Sequence, residues 1–415
     1  MKYVLAGFTS GILRVLERML PERSVVLLED PYIVERSEVS DKIGAFGCVE
    51  RLVPTPLQDE NRVESVVAAV ESVGDIGAVI PGHEYGVLAA AALAERHRLP
   101  GAGMHAAKCL RDKASLRAAA TTTGIAQPDW AVVDSLEDVL AFPRRPLVLK
   151  PSNRQASVGV ELTEPGDDDA AVSAAWHRTR AADEPMMASP DGTPPRHLVE
   201  HRLSGREVSV EALVERGRTV FVNQTAKTIL PGPHPVELAH VVPAPDPVAL
   251  DGAMRQLVEA LDFGTGVLHA EWILVDDEPH LIECAGRFPG DEIVPLIDLA
   301  YGGSLTKDLV TLLSGQSVER RAQARRGAAV RFLTAPPGRV QQVTGIGEAR
   351  KVRGVLGVDV TAAPGDVIAP VSSSWDRVGR VMAIGRTASA AREAADTAAA
   401  QLTVTTGDDS SRDVS

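Results

Sequence analysis

The sequence predicts an α/β protein: a parallel α/β layer in its first hundred residues, a mixed α+β middle and a β-rich end. Three observations carry this prediction. Strand-like and helix-like runs alternate from Lys2 to Arg96, the pattern of a parallel sheet with crossover helices. Strand-like runs then dominate His197 to Val222 and Gly266 to Cys284. Gly327 to Gly385 is glycine-rich and strand-like.

In order, Lys2 to Ala6 reads as a buried strand and Gly11 to Leu20 as an amphipathic helix. Arg14, Glu17 and Arg18 interrupt any resemblance of this start to a secretory leader, and no small-residue cleavage site follows. Ser24 to Leu28 is a second strand, Glu64 to Val73 a helix, Ala78 to Pro81 a third strand and Val87 to Arg96 a small-residue helix. Leu99-Pro100-Gly101 closes the unit. Gly7 to Gly11 lacks the G-x-G-x-x-G fingerprint and reads as a glycine-permitted turn. No G-x-x-x-x-G-K-[ST] occurs.

From Asp112 the pattern changes. A helix runs through Ala114 to Thr123, strands lie near Val132 and Leu147, and a helix spans Ala170 to Ala181. Residues 184–195 read as a loop, Ala388 to Leu402 as a helix, and the polar end TTGDDSSRDVS as disordered.

At 415 residues the chain can bury a sizeable core in two or three domains. Its 44% hydrophobic content fits a soluble globular protein, and no run is long and apolar enough to span a membrane. The net charge of −13 argues against non-specific nucleic-acid binding, which needs a basic surface. Cys48, Cys109 and Cys284 form no metal or redox spacing and suit a reducing compartment.

The chemistry collects in five segments. Arg111-Asp112-Lys113 stands at a helix start. PLVLKPSNRQASVGVE, residues 146–161, brings Lys150 off a strand beside a small polar loop, a plausible grip for phosphates. HLVEHRLSGREVSV covers 197–210 and carries Glu200 and Glu207, carboxylates of the kind that accept from ribose hydroxyls. QTAKTILPGPHPVELAHVVP covers 224–243. HAEWILVDDEPHLIECAGRFPGD covers 269–291 and reads as a hairpin turning at Asp276-Asp277-Glu278-Pro279. Glu271 and Glu283 share a face of that hairpin if its loop has an odd number of residues, roughly 5 Å apart at Cβ. Two such carboxylates repel unless a cation lies between them, and magnesium suits them. The alternative is that one glutamate is simply solvated on an edge.

Together these segments resemble the ATP-grasp superfamily of carboxylate–amine ligases over about residues 1 to 405. The segment around Lys227, Glu237 and His240, and the C-terminal GVDVTAAPGDVIAPVSSSWDRVGRVMAIGRT, look most like the dipeptide-forming L-amino-acid ligase branch. The resemblance implies an N-terminal pre-ATP-grasp domain (1–105), a subdomain with the phosphate-covering loop (106–195), a core subdomain with metal and substrate sites (196–318), a C-terminal β-rich domain (319–406) and a tail (407–415).

Residue by residue, the resemblance implies that Lys113 and Lys150 contact the ATP phosphates under the loop Ser152 to Val158, which includes Ser157. Glu200, His201 and Leu203 would form the hinge beside adenine, and Glu207 would bind ribose. Glu271 and Glu283 would hold Mg²⁺, with Mn²⁺ admitted in its place. Lys227 would lie near the terminal phosphate. Glu237, His240 and Arg287 would face the reacting groups, and Asp291 and Glu84 the substrate. Asp291 has a rival reading as the N-cap of a helix beginning near Ile293.

The implied reaction forms an amide from a small-molecule carboxylate and an amine through an acyl phosphate, releasing ADP and phosphate, in a cytoplasmic protein that admits a homodimer. Arg287 would stabilise the oxyanion of the second step, and Glu237 or His240 would orient the amine. Two positions depart from the family pattern. His201 replaces a common lysine, and Ala285 replaces an asparagine metal ligand. The alternatives are a carboxylase working through carboxyphosphate and a non-catalytic ATP sensor.

Overall fold

The computed structural model describes residues 1–143, 145–182, 184, 196–232, 234–319 and 322–407. Most of the expected 184–195 loop and of the C-terminal tail therefore lies outside the described residues.

The N-terminal layer is a parallel sheet of β1 (Lys2–Ala6), β2 (Val25–Glu29), β3 (Val49–Pro54) and β4 (Ile76–Pro81), in the order β3-β2-β1-β4. Val4 and Ala6 pack on one face with Val66 and Leu93, while Leu5 packs on the other with Leu296 and Leu309. Burial on both faces explains why the strands read as continuous apolar runs. β3 escapes sequence reading because its burial is partial and Glu50 and Arg51 break its apolar pattern.

A second sheet holds β5 (Trp130–Val133), β6 (Leu147–Pro151), β7 (Glu161–Leu162) and β8 (His197–His201), ordered β5-β8-β6-β7. The helix Asp169–Ala181 covers it with Val172 and Trp176. Before it, Arg111 ends one helix (Met104–Arg111) and Lys113 begins the next (Lys113–Thr123). Asp112 between them caps the second helix through the backbone N–H of Ala114, and left-handed Gly124 (φ 74°) stops it.

The large sheet contains β9 (Arg206–Glu215), β10 (Arg218–Ile229), β11 (Glu237–Val242), β12 (Gly266–Val275), β13 (Glu278–Ala285) and β14 (Gly327–Leu333). β15 (Gly338–Thr344), β16 (Val355–Val360), β17 (Val367–Ile368), β18 (Gly379–Gly385) and β19 (Thr403–Gly407) complete the chain. The order β13-β12-β9-β10-β11-β14-β18-β16 carries one sheet across residue 318 into the C-terminal part. A small sheet, β17-β15-β19, stands beside it. Thr405 to Gly407, assigned to a disordered end by composition, instead pair with β15.

The β12–β13 hairpin corrects the expected loop. Only Asp276 and Asp277 separate the strands, both left-handed at φ 51° and 64°. An even loop alone would place Glu271 opposite Ile282. A register shift between Glu271 and Trp272 adds one residue to β13, and Glu271 pairs with Glu283 after all. A bulge therefore does what loop parity was expected to do.

Candidate active site

The sheets and the N-terminal layer enclose a cavity of about 1290 Å³. Phe8 and Tyr85 line it from the N-terminal layer, Lys150 from the second sheet, Glu271 and Glu283 from the large sheet, and Arg377 from the C-terminal part. Every residue expected at the site lines it except His240 and Glu84.

The entrance from β8 to β9 is tightly built. His201, Arg202 and Leu203 lead into Gly205, where a Cβ would come within 2.2 Å of the Leu274 carbonyl. Only glycine permits that approach of the connection to β12. Val148, Leu162, Leu203, Ile273 and Ile282 give the cavity an apolar lining suited to a flat base.

Lys150 is buried and its ammonium lies 2.8 Å from Glu200. Glu200 also takes two hydrogen bonds from Arg117, at 2.9 and 3.2 Å. The Glu200 carboxylate is committed to these two cations and its main chain lies inside the sheet, paired with Trp130 and Val148. Its side chain thus positions Lys150. Burial pushes the Glu200 carboxyl up, but Arg117 and Lys150 outweigh it and hold it at about 2. Burial lowers Lys150, and nearby Arg117 adds to the effect.

Arg117, fully buried, was not singled out by sequence, although it stands one helical turn after Lys113. Its remaining donors reach the carbonyls of Leu281 and Ile282 at 2.8 and 2.7 Å. It thus ties the Lys150 centre to the bulged stretch of β13 just before Glu283. Lys113 bonds Glu283 at 2.9 Å and the Arg154 carbonyl in the loop Ser152 to Val158 at 2.6 Å. In that loop Ala156 and Ser157 are left-handed, and the Ser157 hydroxyl donates to the Pro235 carbonyl at 3.3 Å.

Across the cavity Lys227 is enclosed by carboxylates. Glu237 and Glu271 touch its ammonium and Glu207 lies at 3.3 Å. Oxygens of these three glutamates lie within 4.8 Å of one another. Burial opposes the charge on Lys227, but the three carboxylates raise it well above its ordinary value. Burial, Glu271 and Glu237 push Glu207 up to about 7 against the pull of Lys227. His269, also missed by sequence, bridges Glu211 at 3.0 Å and Glu271 at 3.3 Å, which fixes the Glu271 carboxylate from behind.

His240 lies behind the cavity wall, 3.3 Å from Glu237 but without hydrogen-bond geometry at either ring nitrogen among the described residues. Burial lowers it, yet Glu237 and Asp291 outweigh burial and raise it to about 9. Asp291 is not a helix cap. The cap position before Ile293–Tyr301 is Glu292, with no side-chain cap bond. Asp291 instead receives both terminal nitrogens of Arg377, whose guanidinium also covers the Phe332 ring at 3.8 Å. Glu84 is likewise corrected: it is buried behind the wall, bonded at 2.8 Å to both Arg111 and Arg287. Burial raises its carboxyl, but Arg287, Arg111 and Lys113 hold it at about 2. It orients Arg287 and has no free oxygen for a substrate.

This arrangement is that of an ATP-grasp protein, and residues 143–295 match the ATP-grasp domain. At the C-terminal end, residues 331–407 match L-amino acid ligase C-terminal domain 2. Alanine–anticapsin ligase of Bacillus subtilis (strain 168) is 28% identical over 281 residues, which are 61% of this chain and 57% of that protein. The match thus spans little more than half the length of that curated relative. The L-amino acid ligase of Bacillus licheniformis shares the fold with a TM-score of 0.78 at 20% identity, covering 98% of both chains. Phosphoribosylglycinamide synthetase of Anaerococcus prevotii superposes with a TM-score of 0.68 at 14% identity, covering 98% of this chain and 100% of that one. No helix among the described residues is long and apolar enough to cross a membrane.

Proposed function

We propose that this chain joins a carboxylate, such as that of an amino acid, to an amine through an acyl phosphate, with ATP converted to ADP and phosphate. The observation that carries the reading is the Glu271–Glu283 pair, opposed across the hairpin with a lysine against each carboxylate. These are hard oxygen donors facing a cavity, and they fit Mg²⁺. Bound there, Mg²⁺ would offset charge on the phosphate oxygens.

The chain's own residues supply the rest. Lys150 and Lys113 bind phosphate oxygens, with Glu200 and Arg117 fixing Lys150 in place. His201 and Leu203 flank the base, and Glu207 reaches the ribose. Lys227 meets the terminal phosphate as the substrate carboxylate attacks it. Arg287, held by Glu84, stabilises the oxyanion that forms when the amine attacks, because a guanidinium is permanently charged and its plane is fixed. Glu237, backed by His240, orients the amine.

The substrates are small molecules, and the three buried free cysteines suit a reducing compartment such as the cytoplasm. A screen of amino acids, alone and in pairs, for phosphate release tests the reading. ADP should accumulate with an amide product, whereas AMP as the main nucleotide product removes the acyl-phosphate route.

A further inference from the structure

Glu84, Arg287, Gln155, Glu184 and Tyr85 form a closed circuit of contacts. Arg287 donates from Nε to Glu84 at 2.8 Å, from one terminal nitrogen to the Phe288 carbonyl at 2.9 Å and from the other to Gln155 Oε1 at 3.4 Å. Gln155 Nε2 donates to Glu184 at 3.1 Å. The other oxygen of Glu184 accepts from the Tyr85 hydroxyl, and Tyr85 follows Glu84 in the chain. Arg111 braces the circuit, bonding Glu84 and stacking 4.8 Å from the Tyr85 ring centre.

Gln155 is the one member of this circuit that belongs to the loop Ser152 to Val158. Two donors of Arg287 rest on Glu84 of the N-terminal layer and on the Phe288 backbone. The third rests on the loop. A planar guanidinium is aimed by what holds its edges. A loop that lifts carries away one of those holds, and a loop that settles restores it.

We propose that Gln155 is a positioning residue that couples closure of the phosphate loop to the orientation of Arg287. The inference rests on the ligase reading above. When the loop is down, the Gln155 amide aims Arg287 at the acyl carbon as the amine attacks. When the loop is up, Arg287 is free to swing, amine attack slows, and water takes a larger share of the acyl phosphate.

The test compares wild type, Gln155→Leu, and the double exchange Gln155→Glu with Glu184→Gln, in which every donor still faces an acceptor. The first readout is phosphate released per amide formed. It should rise roughly fivefold to tenfold in Gln155→Leu and return toward wild type in the double exchange. The second readout is trypsin cleavage after Arg154 in the nucleotide-free protein, which needs no ligation. It should be faster in Gln155→Leu and slower again in the double exchange. An unchanged phosphate-to-amide ratio, unchanged cleavage, or a double exchange as impaired as Gln155→Leu overturns the proposal. A wild type that forms no amide with any amino-acid pair defeats the ligase reading instead, and the cleavage readout still decides whether Gln155 holds the loop.

Discussion

The Lys150 centre and the Lys227 centre are built from the same residue types in opposite proportion. Around Lys150, two cations share one carboxylate, Glu200. Around Lys227, one ammonium faces three carboxylates. Each imbalance leaves its mark on the minority group: Glu200 is held at about 2, and Lys227 is raised well above its ordinary value. An excess of positive charge suits a polyphosphate, and an excess of negative charge suits a divalent cation or an ammonium. The cavity is therefore polarised before any ligand enters, and this preorganisation needs no rearrangement at the moment of reaction.

The sharpest way to break the comparison is Glu200→Gln. The Glu200 side chain is only 2% exposed, so its loss leaves Arg117 and Lys150 buried without a counter-charge. Stability should fall by about 3–5 kcal/mol at neutral pH, read as a lower urea midpoint. An unchanged midpoint would mean that water reaches the pair and that the centre is not dry.

The acid limb gives a smaller effect in the same place. Glu200 has a folded pKa of about 2, below its unfolded value. A depressed carboxyl contributes stability that is present above the unfolded pKa and lost as pH falls through the folded one. The wild-type advantage over Glu200→Gln should therefore shrink by roughly 3 kcal/mol between about pH 5 and pH 2. A constant difference across that range would place the cost in packing and not in charge.

Lys227→Met attacks the other centre and should cost less, about 2 kcal/mol. Glu207, Glu237 and Glu271 have side chains 17–22% exposed, so solvent relieves part of their mutual repulsion. Millimolar Mg²⁺ should raise the melting temperature of this variant more than that of wild type. Equal shifts would show that these carboxylates do not form a cation-seeking centre.

The two centres also differ in how readable they were. Lys150, Lys227 and the paired glutamates stand out because each is a charged residue in a strand pattern that predicts burial. What sequence missed is how they are held. Arg117 reads as an ordinary helix residue, because nothing local shows that its partners lie 83 and 164 residues away at Glu200 and Leu281. The bulge at Ile282 leaves no compositional mark, so the Glu271–Glu283 pairing was right for the wrong geometric reason. Asp291 was assigned to the substrate, with a helix cap as the rival reading, and neither reading could show its partner Arg377, which comes from the C-terminal part. Strand-forming residues declare their own environment, while long-range ion pairs are visible only in the assembled fold.

The smallest effect concerns that Asp291–Arg377 pair, and it extends the comparison to the part of the cavity wall that the proposed function gives to the substrate. Asp291 alone would attract basic partners and repel acidic ones. Paired at both oxygens with Arg377, it presents little net charge. Burial pushes the Asp291 carboxyl up, but His240 and Arg377 hold it well below its ordinary value, so the pair stays ionised through the neutral range. Neutral partners should then be preferred. Asp291→Asn exposes the charge of Arg377 and should improve kcat/KM for acidic partners relative to basic ones by roughly threefold to tenfold. Arg377→Met exposes Asp291 instead and should move the ranking the opposite way. The opposed pair of shifts is the signature of two charges that cancel at the substrate. Shifts in the same direction, or a ranking unchanged in both variants, would mean that the pair serves only to tie the segment before β18 to the segment after β13.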